Sequence, residues 1–128
     1  FKKAEEANIG EVVVATEDQE IIDDVKKNGG QAILTKKDHK TGTDRIYEAL
    51  QKLDNKNIDL IMNLQGDEPL MNIEDIIKLN DQMIKNKSQL GTLASKIKDK
   101  AIYENENIVK VYTKEPLDDQ NFAKAMYF

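Results

Sequence analysis

The chain has 128 residues, of which 39% are hydrophobic and 34% are charged; its formal net charge is -5, and it has no cysteine. This length is sufficient for one domain with a buried core, and the acidic balance excludes nucleic acid and anionic membranes as expected partners. The lack of cysteine excludes a disulfide scaffold and a cysteine-ligated zinc site. No apolar run approaches the length of a membrane span, so we expect a cytoplasmic protein without membrane insertion.

The first third of the sequence predicts a strand, a helix and a second strand. The β-branched runs "EVVVAT" (Glu11–Thr16) and "QAILT" (Gln31–Thr35) are typical of buried strands. The segment "DQEIIDDVKKNGG" between them has helical periodicity, and Thr16 and Gln19 have capping-box spacing. The two glycines at its end can supply a left-handed cap, and we expect an earlier helix, "FKKAEEANIG", to close at Gly10.

The remainder continues the alternation. A helix is predicted from about Asp44 to Leu53, and the nearly continuous apolar run "IDLIMNL" (Ile58–Leu64) predicts a strand buried on both faces. A second amphipathic helix is predicted near Ile73–Asn86, with Asn72 as its cap. The later segments "LGTLASKI", "NIVKVYT" and "FAKAMYF" have strand-like patterns.

This alternation predicts an α/β fold with a mainly parallel sheet and helices on both faces. We expect one domain over residues 1–128. Because the chain starts inside a helical pattern and stops on a strand pattern, we expect a fragment that is incomplete at both ends. In parallel sheets ligands bind beyond the carboxyl ends of the strands. The two polar loops that follow predicted strands are therefore candidate parts of one ligand site.

The first polar loop, "NLQGDEPL", follows the most apolar predicted strand. The carboxylate of Asp67 can hold Mg²⁺, which prefers one or two carboxylates with phosphate oxygens and water. Gln65 can donate and accept hydrogen bonds, and Gly66 allows close approach of the backbone to a ligand. The alternative is a solvated turn, and for this motif alone the two interpretations are equally supported.

The second polar loop, "DHKTGTDR", follows another predicted strand and precedes a helix. Backbone N–H groups near Gly42 can bind a base carbonyl or a phosphate, and Arg45 can pair with a phosphate or carboxylate. The ordinary alternative is that Thr43 caps the helix while Asp44 complements its dipole. His39, the only histidine, is more typical of a loop hydrogen-bonding residue than of a catalyst or metal site.

Taken together, the motifs carry a family resemblance. The segments "VATEDQEI", "LTKKDHKTGTDR", "NLQGDEPL", "NENIVKV" and "AMYF", in this order and spacing, resemble the cytidylyltransferases that activate 3-deoxy-manno-octulosonate (Kdo), known as CMP-Kdo synthetases. The resemblance covers about Glu11 to Phe128, and the two polar loops are its specific part. Thr41 stands where the family often has Ser, Asp44 where it often has Glu, and Lys36 where it often has Arg. Because Lys36 lacks a planar fork, we assign it no role.

The resemblance implies a Rossmann-like, three-layer α/β/α nucleotidyltransferase fold. It also implies transfer of CMP from CTP to Kdo with release of pyrophosphate, for lipopolysaccharide biosynthesis, with Mg²⁺ as cofactor and a homodimer as the assembly. Asp67 is the implied metal ligand, and Asp67 and Arg45 are the implied catalytic residues. Arg45 would either orient its loop or touch the ligand. The implied substrate-binding residues are Thr41, Gly42 and Thr43 beside the cytosine, and Gln65 and Gly66 beside the sugar or nucleotide.

The resemblance also implies that parts of the site lie elsewhere. The family's triphosphate-binding loop, with glycine, arginine and lysine, would precede Phe1, and a further metal-binding carboxylate would follow Phe128. We therefore expect the 128 residues alone to be inactive. Two alternatives stay open: a sialic-acid type cytidylyltransferase of the same fold, and a non-catalytic, receiver-like α/β module in which Asp67 is a metal-binding or modified acid.

Overall fold

The computed structural model describes residues 1–54, 57–118 and 122–128. The chain forms two compact units, Phe1–Asn80 and Asp81–Phe128. Across the described ranges, no helix combines the length and the apolar character needed to cross a bilayer. The elements in chain order are α1 (Lys2–Ala7), β1 (Val13–Thr16), α2 (Gln19–Lys27), β2 (Gln31–Leu34), α3 (Gly42–Lys52), α4 (Ile73–Asn86), α5 (Lys100–Glu104), β3 (Tyr112–Thr113) and β4 (Ala125–Tyr127).

The first unit is built on a β1–α2–β2 crossover. The two strands are parallel and in register from Val13 opposite Gln31 to Thr16 opposite Leu34. Both α2 and α3 pack against this pair of strands. Parallel strands need a crossover connection, usually a helix, and α2 provides it. The α/β class with a parallel sheet, predicted from the alternation of patterns, is confirmed.

Helix α2 begins two residues later than its capping-box spacing predicts. Asp18, and not Thr16, is the N-cap, and its carboxylate accepts from the backbone N–H of Glu20 at 2.8 Å. Thr16 is the last residue of β1, and its hydroxyl accepts from the backbone N–H of Asp18 at 3.2 Å. The capping-box prediction is therefore wrong, because the strand extends over the residue that would have been the cap. The buried face of the helix carries Ile22 and Val25, as its periodicity predicts. Ile21, which the same periodicity places on this face, is 45% exposed, so the prediction is wrong at that residue.

Two consecutive glycines connect α2 to β2, and each position needs glycine for a different reason. Gly29 has a φ of +84°, the left-handed conformation that closes a helix. Gly30 lies where a Cβ atom would come within 2.8 Å of both the Phe1 ring and Val25 Cγ1. The prediction of a glycine cap is confirmed at Gly29, while Gly30 is required by packing.

The observed ends of three other helices differ from the predicted ends in α1 and α3 and agree with them in α4. Helix α1 closes at Asn8, with a φ of 49°, and not at Gly10. Helix α3 starts at Gly42, two residues before the predicted start at Asp44. Helix α4 spans Ile73–Asn86 as predicted, and Ile76 on it is 2% exposed. The backbone oxygen of Asn72 accepts from the N–H of Ile76 at 3.4 Å, which is the backbone bond of an N-cap residue.

The segment Ile58–Leu64 is not a strand in the structure. Its apolar side chains are partly or largely exposed, as at Ile61, which is 53% exposed. A strand is defined by backbone hydrogen bonds to a neighbour, and within the described ranges β1 pairs only with β2 in its sheet. An apolar run is therefore compatible with a central strand, but it forms one only where neighbouring strands provide the hydrogen bonds. The strand-like pattern of "LGTLASKI" is likewise not realised.

The second unit contains an antiparallel pair of short strands. In β3, Tyr112 lies opposite Tyr127 of β4, and their ring centroids are 6.2 Å apart at a tilt of 47°. The hydroxyls of Tyr103 and Tyr112 are 2.9 Å apart, and this hydrogen bond raises the pKa of the Tyr112 phenol. The strand patterns of "NIVKVYT" and "FAKAMYF" are confirmed over these few residues only.

Candidate functional site

The site begins at the carboxyl ends of β1 and β2. Because the strands are parallel and in register, both ends lie at one edge, and the N–H of Thr35 donates to the oxygen of Thr16 at 2.8 Å. Thr16 and Thr35 are the buried polar residues of the described chain. The segment that leads from Thr35 into α3 is the polar loop "KKDHKT", so the fold brings this loop to the edge where α/β sheets bind ligands.

Thr41 caps α3. Its hydroxyl accepts from the N–H of Asp44 at 3.2 Å and donates to the carboxylate of Asp44 at 2.8 Å. The expected cap at Thr43 is therefore wrong by two residues, because the helix starts at Gly42. Thr43 lies exposed in the first turn of the helix, where its hydroxyl is not part of the cap.

Arg45 connects α3 to both strand ends. Its Nη1 atom donates to the hydroxyl of Thr35 at 2.6 Å and to the backbone oxygen of Lys36 at 3.1 Å. Its Nη2 atom forms an ion pair with the carboxylate of Glu17, which follows β1. The guanidinium is 20% exposed and uses its planar fork to hold two loops at once. Of the two implied roles for Arg45, these contacts are those of a residue that orients the loop.

Glu48 holds the same loop from the next turn of α3. Its Oε2 atom accepts from the backbone N–H of Lys36 at 3.1 Å and from His39 Nε2. Its Oε1 atom pairs with Lys52 Nζ at 2.6 Å. The hydrogen bond from Lys52 contributes most to lowering the pKa of the Glu48 carboxyl from 4.5 to about 2, and the bond from His39 comes next. The carboxylate therefore stays ionised at neutral pH and holds the loop by charge-assisted hydrogen bonds.

The second polar loop forms a turn on the first unit. The N–H of Glu68 donates to the oxygen of Gln65 at 3.4 Å, and the N–H of Met71 donates to the oxygen of Glu68 at 3.2 Å. Lys3 of α1 donates to the oxygen of Met71 at 2.8 Å, which anchors the far end of the turn. Asp67 at its centre is exposed, as are Gln65, Gly66 and Glu68.

The two polar loops supply separate groups of site residues. Thr41, Gly42, Thr43 and Arg45 lie in or before the first turn of α3, whereas Gln65, Gly66 and Asp67 lie on the turn. In the part of the chain that the structure describes, no hydrogen bond joins the two groups, and no cluster of three or more potential metal ligands occurs. The roles assigned to these residues in catalysis, substrate binding and metal binding stay predictions.

Three residues of the loop support were missed from the sequence: Glu17, Thr35 and Glu48. Glu48 and Lys52 have the i, i+4 spacing of a helical ion pair. That spacing indicates a surface pair and gives no sign of the additional contacts with Lys36 and His39. The contacts made by Glu17 and Thr35 depend on which strands are neighbours, and a local pattern does not contain that information.

The structure defines an α/β protein with parallel strands and a polar loop at the carboxyl edge of its sheet. The family model described as cytidylyltransferase matches residues 1–128. The chain therefore belongs to the cytidylyltransferase family.

Individual relatives carry a more specific name. The chain is 40% identical to the 3-deoxy-manno-octulosonate cytidylyltransferase of Afipia carboxidovorans, and the match covers 100% of this chain and 51% of that protein. It is 45% identical to the enzyme of the same name from Thermodesulfovibrio yellowstonii, over 94% of this chain and 47% of the other. The chain thus spans about half the length of the curated relatives it matches.

A solved structure that resembles this chain is of the same kind of enzyme as these relatives. It is CMP:2-keto-3-deoxy-manno-octonic acid synthetase complexed with CTP, and it matches with a TM-score of 0.62 at 37% identity. The match covers 69% of this chain and 36% of the solved one. The resemblance to CMP-Kdo synthetases inferred from the sequence motifs is confirmed, and so is the nucleotidyltransferase fold.

Proposed function

We propose that the complete protein transfers CMP from CTP to Kdo and releases pyrophosphate. The observation that carries this proposal is the whole-chain match to an enzyme of that name, since the matched region includes both polar loops. The solved relative complexed with CTP supports the choice of nucleotide.

In the proposed reaction the anomeric hydroxyl of Kdo attacks the α-phosphorus of CTP in line. A bond forms between the sugar oxygen and the α-phosphorus as the O–H bond of the hydroxyl breaks and its proton passes to water. The bond from that phosphorus to the bridging oxygen breaks, and pyrophosphate leaves. In such transfers the protein acts chiefly by positioning the reactants and offsetting phosphate charge. The contacts of Arg45 with Thr35 and Lys36 support a positioning role for this chain.

The start of α3 is the proposed cytosine site. Cytosine carries an amino donor where uracil carries a carbonyl, so backbone carbonyls of the loop before Thr41 would accept from cytosine and oppose uracil. A buried unpaired polar group costs about 1–3 kcal/mol, which corresponds to discrimination of about ten- to a hundredfold. Thr41, Gly42 and Thr43 would border the base, and Gln65 with Gly66 would contact the sugar or nucleotide.

Asp67 is the proposed ligand of Mg²⁺. It is exposed on its turn, with Glu68 beside it. Mg²⁺ is commonly bound by one or two carboxylates together with phosphate oxygens and water, so a single exposed carboxylate fits an ion that is shared with the nucleotide. When bound, Mg²⁺ would supply charge neutralisation at the phosphates.

The cellular setting belongs to the same proposal. The enzyme would be a cytoplasmic homodimer that supplies CMP-Kdo for lipopolysaccharide biosynthesis. The names of the curated relatives support the product, and sedimentation analysis of the complete protein would test the dimer.

A substrate panel tests the proposed function. The complete gene product is assayed for pyrophosphate release with Mg²⁺, and CTP or UTP is combined with Kdo or N-acetylneuraminate. We expect release with CTP and Kdo. A preference for N-acetylneuraminate would identify a sialic-acid type enzyme, and an absence of CTP binding by calorimetry would favour a non-catalytic module.

A further inference from the structure

The loop between β2 and α3 is held at Lys36 by two side chains of α3. Arg45 Nη1 donates to the backbone oxygen of Lys36 at 3.1 Å, and Glu48 Oε2 accepts from the backbone N–H of the same residue at 3.1 Å. Both backbone polar groups of Lys36 are thus bound by one helix, which fixes the two peptide groups that flank this residue at the start of the loop.

Glu48 also reaches the middle of the loop. The same Oε2 atom that accepts from Lys36 accepts from His39 Nε2. Thr41 caps α3 at the far end of the loop. The loop is therefore held at its start, middle and end by α3, and Glu48 makes two of these contacts.

The environment of Glu48 differs from that of a surface ion pair. Its side chain is 15% exposed, and that of His39 is 16% exposed. Lys100 and Glu104 on α5 have the same i, i+4 spacing, but they pair at 3.4 Å with 85% and 61% of their side chains exposed. An exposed pair of that kind contributes little, whereas the Glu48 carboxylate satisfies a loop backbone group and a loop side chain.

We propose that Glu48 is a positioning residue that fixes the loop Lys36–Thr41 in the conformation that accepts the nucleotide base. The inference rests on the proposed function, because the base is the ligand assigned to the end of this loop. Glu48 does not touch the nucleotide; it acts through the Lys36 backbone and His39. A loop that is ordered before binding avoids the entropy loss of ordering on binding, so Glu48 should act on nucleotide affinity more than on turnover.

The first test measures kinetics in the complete protein. Glu48→Gln removes the charge and keeps the shape of the side chain, and Glu104→Gln is the matched control from an exposed helical pair. We expect Glu48→Gln to raise the KM for CTP about tenfold, as for loss of a charged hydrogen bond, with a much smaller change in kcat and in the KM for Kdo. His39→Ala should raise the same KM, and the double variant should change it by less than the product of the single effects.

The second test measures the loop directly and needs no substrate. Hydrogen–deuterium exchange is followed in residues 36–41 of the complete protein, for the wild type, Glu48→Gln, Glu48→Ala and Glu104→Gln. We expect faster exchange in this segment in both Glu48 variants, Glu48→Ala showing the larger change, and wild-type exchange in Glu104→Gln. Glu48→Gln decides the outcome if Glu48→Ala does not fold.

The outcomes separate this inference from the proposed function. If the wild type is active and the KM for CTP of Glu48→Gln equals that of Glu104→Gln, the positioning role is overturned and the proposed function is not. Unchanged exchange in residues 36–41 would overturn it as well. A wild type that does not use CTP would overturn the proposed function, and with it the assignment of the loop to a base.

Discussion

Arg45 Nη1 donates a hydrogen bond of 2.6 Å to the hydroxyl of Thr35, one residue beyond the end of β2. Thr35 is buried, and Arg45 is the only arginine in the sequence. The bond fixes α3 to the carboxyl end of the strand, so the first turn of α3 has a defined position at the edge where we place the nucleotide. Arg45 therefore supports this edge of the sheet through its contacts with Thr35, Lys36 and Glu17.

Replacement of Arg45 by lysine should destabilise the protein. Lysine retains the charge but cannot present two nitrogens to Thr35, Lys36 and Glu17 at once. We expect Arg45→Lys to lower the free energy of unfolding by about 1–3 kcal/mol, as for loss of a charge-assisted hydrogen bond. Urea denaturation of the complete protein measures this value, with Lys27→Gln on the exposed side of α2 as control. Wild-type stability combined with weak CTP binding would show that the guanidinium serves the ligand directly.

The position of the cap on α3 can be tested with two threonines. Thr41→Ala removes the hydroxyl that accepts from Asp44 and should cost about 1 kcal/mol of stability. Thr43→Ala, in the first turn, should leave stability within about 0.5 kcal/mol of wild type. Thermal and urea denaturation compare the two variants. The reverse order of stabilities would restore Thr43 as the cap.

Gly42 offers a probe of close ligand approach. Its φ lies outside the left-handed region, and a Cβ atom there would meet nothing within 4 Å, so the dihedral angles of the loop do not require glycine. Gly42→Ala should leave stability unchanged or raise it by about 0.5–1 kcal/mol. If the base lies against this residue, the KM for CTP should rise and that for Kdo should not. Wild-type CTP affinity and CTP/UTP preference in Gly42→Ala would remove this residue from the base site.

Glu48 should give the protein a defined acid-sensitive contribution to stability. The folded-state pKa of its carboxyl is about 2, below the ordinary value of 4.5. A lowered pKa stabilises the fold fully above the ordinary value, and this stabilisation is lost as the pH falls from 4.5 towards 2. The difference in unfolding free energy between wild type and Glu48→Gln should therefore shrink over this interval. Urea denaturation at a series of pH values measures it, and a constant difference would show that Glu48 is not a charged partner of the loop.

The features predicted correctly from the sequence are those that depend on local residue patterns. The periodicity of α4 gave both of its ends, and the β-branched runs gave β1 and β2. The two polar loops were found as candidate site segments because their composition is unusual for turns. The resemblance to CMP-Kdo synthetases, confirmed by the relatives, came from five segments in order, of which the same two loops are the specific part.

The features that the sequence did not predict depend on which segments lie next to each other in the folded chain. The run Ile58–Leu64 is apolar enough for a central strand, yet a strand forms only where partner strands supply hydrogen bonds. The cap at Thr41 and the loop contacts of Glu48 required knowing where α3 starts and which loop lies against it. The pairing of Arg45 with Glu17 joins residues 28 positions apart, which no local pattern contains.

CMP transfer from CTP to Kdo through a site that includes Asp67 can be followed by phosphorus NMR. The complete protein is incubated with Mg²⁺, CTP and Kdo, with Asp67→Asn as the variant and Glu68→Gln as the control from the same exposed turn. We predict a new phosphodiester signal and an equal amount of pyrophosphate, only when both substrates are present. In Asp67→Asn both should form at least about a hundredfold more slowly, as for loss of a transition-state electrostatic contact. CTP left intact beside Kdo would rule out the proposed transfer, and equal rates in wild type and Asp67→Asn at saturating Mg²⁺ would exclude Asp67 from the site.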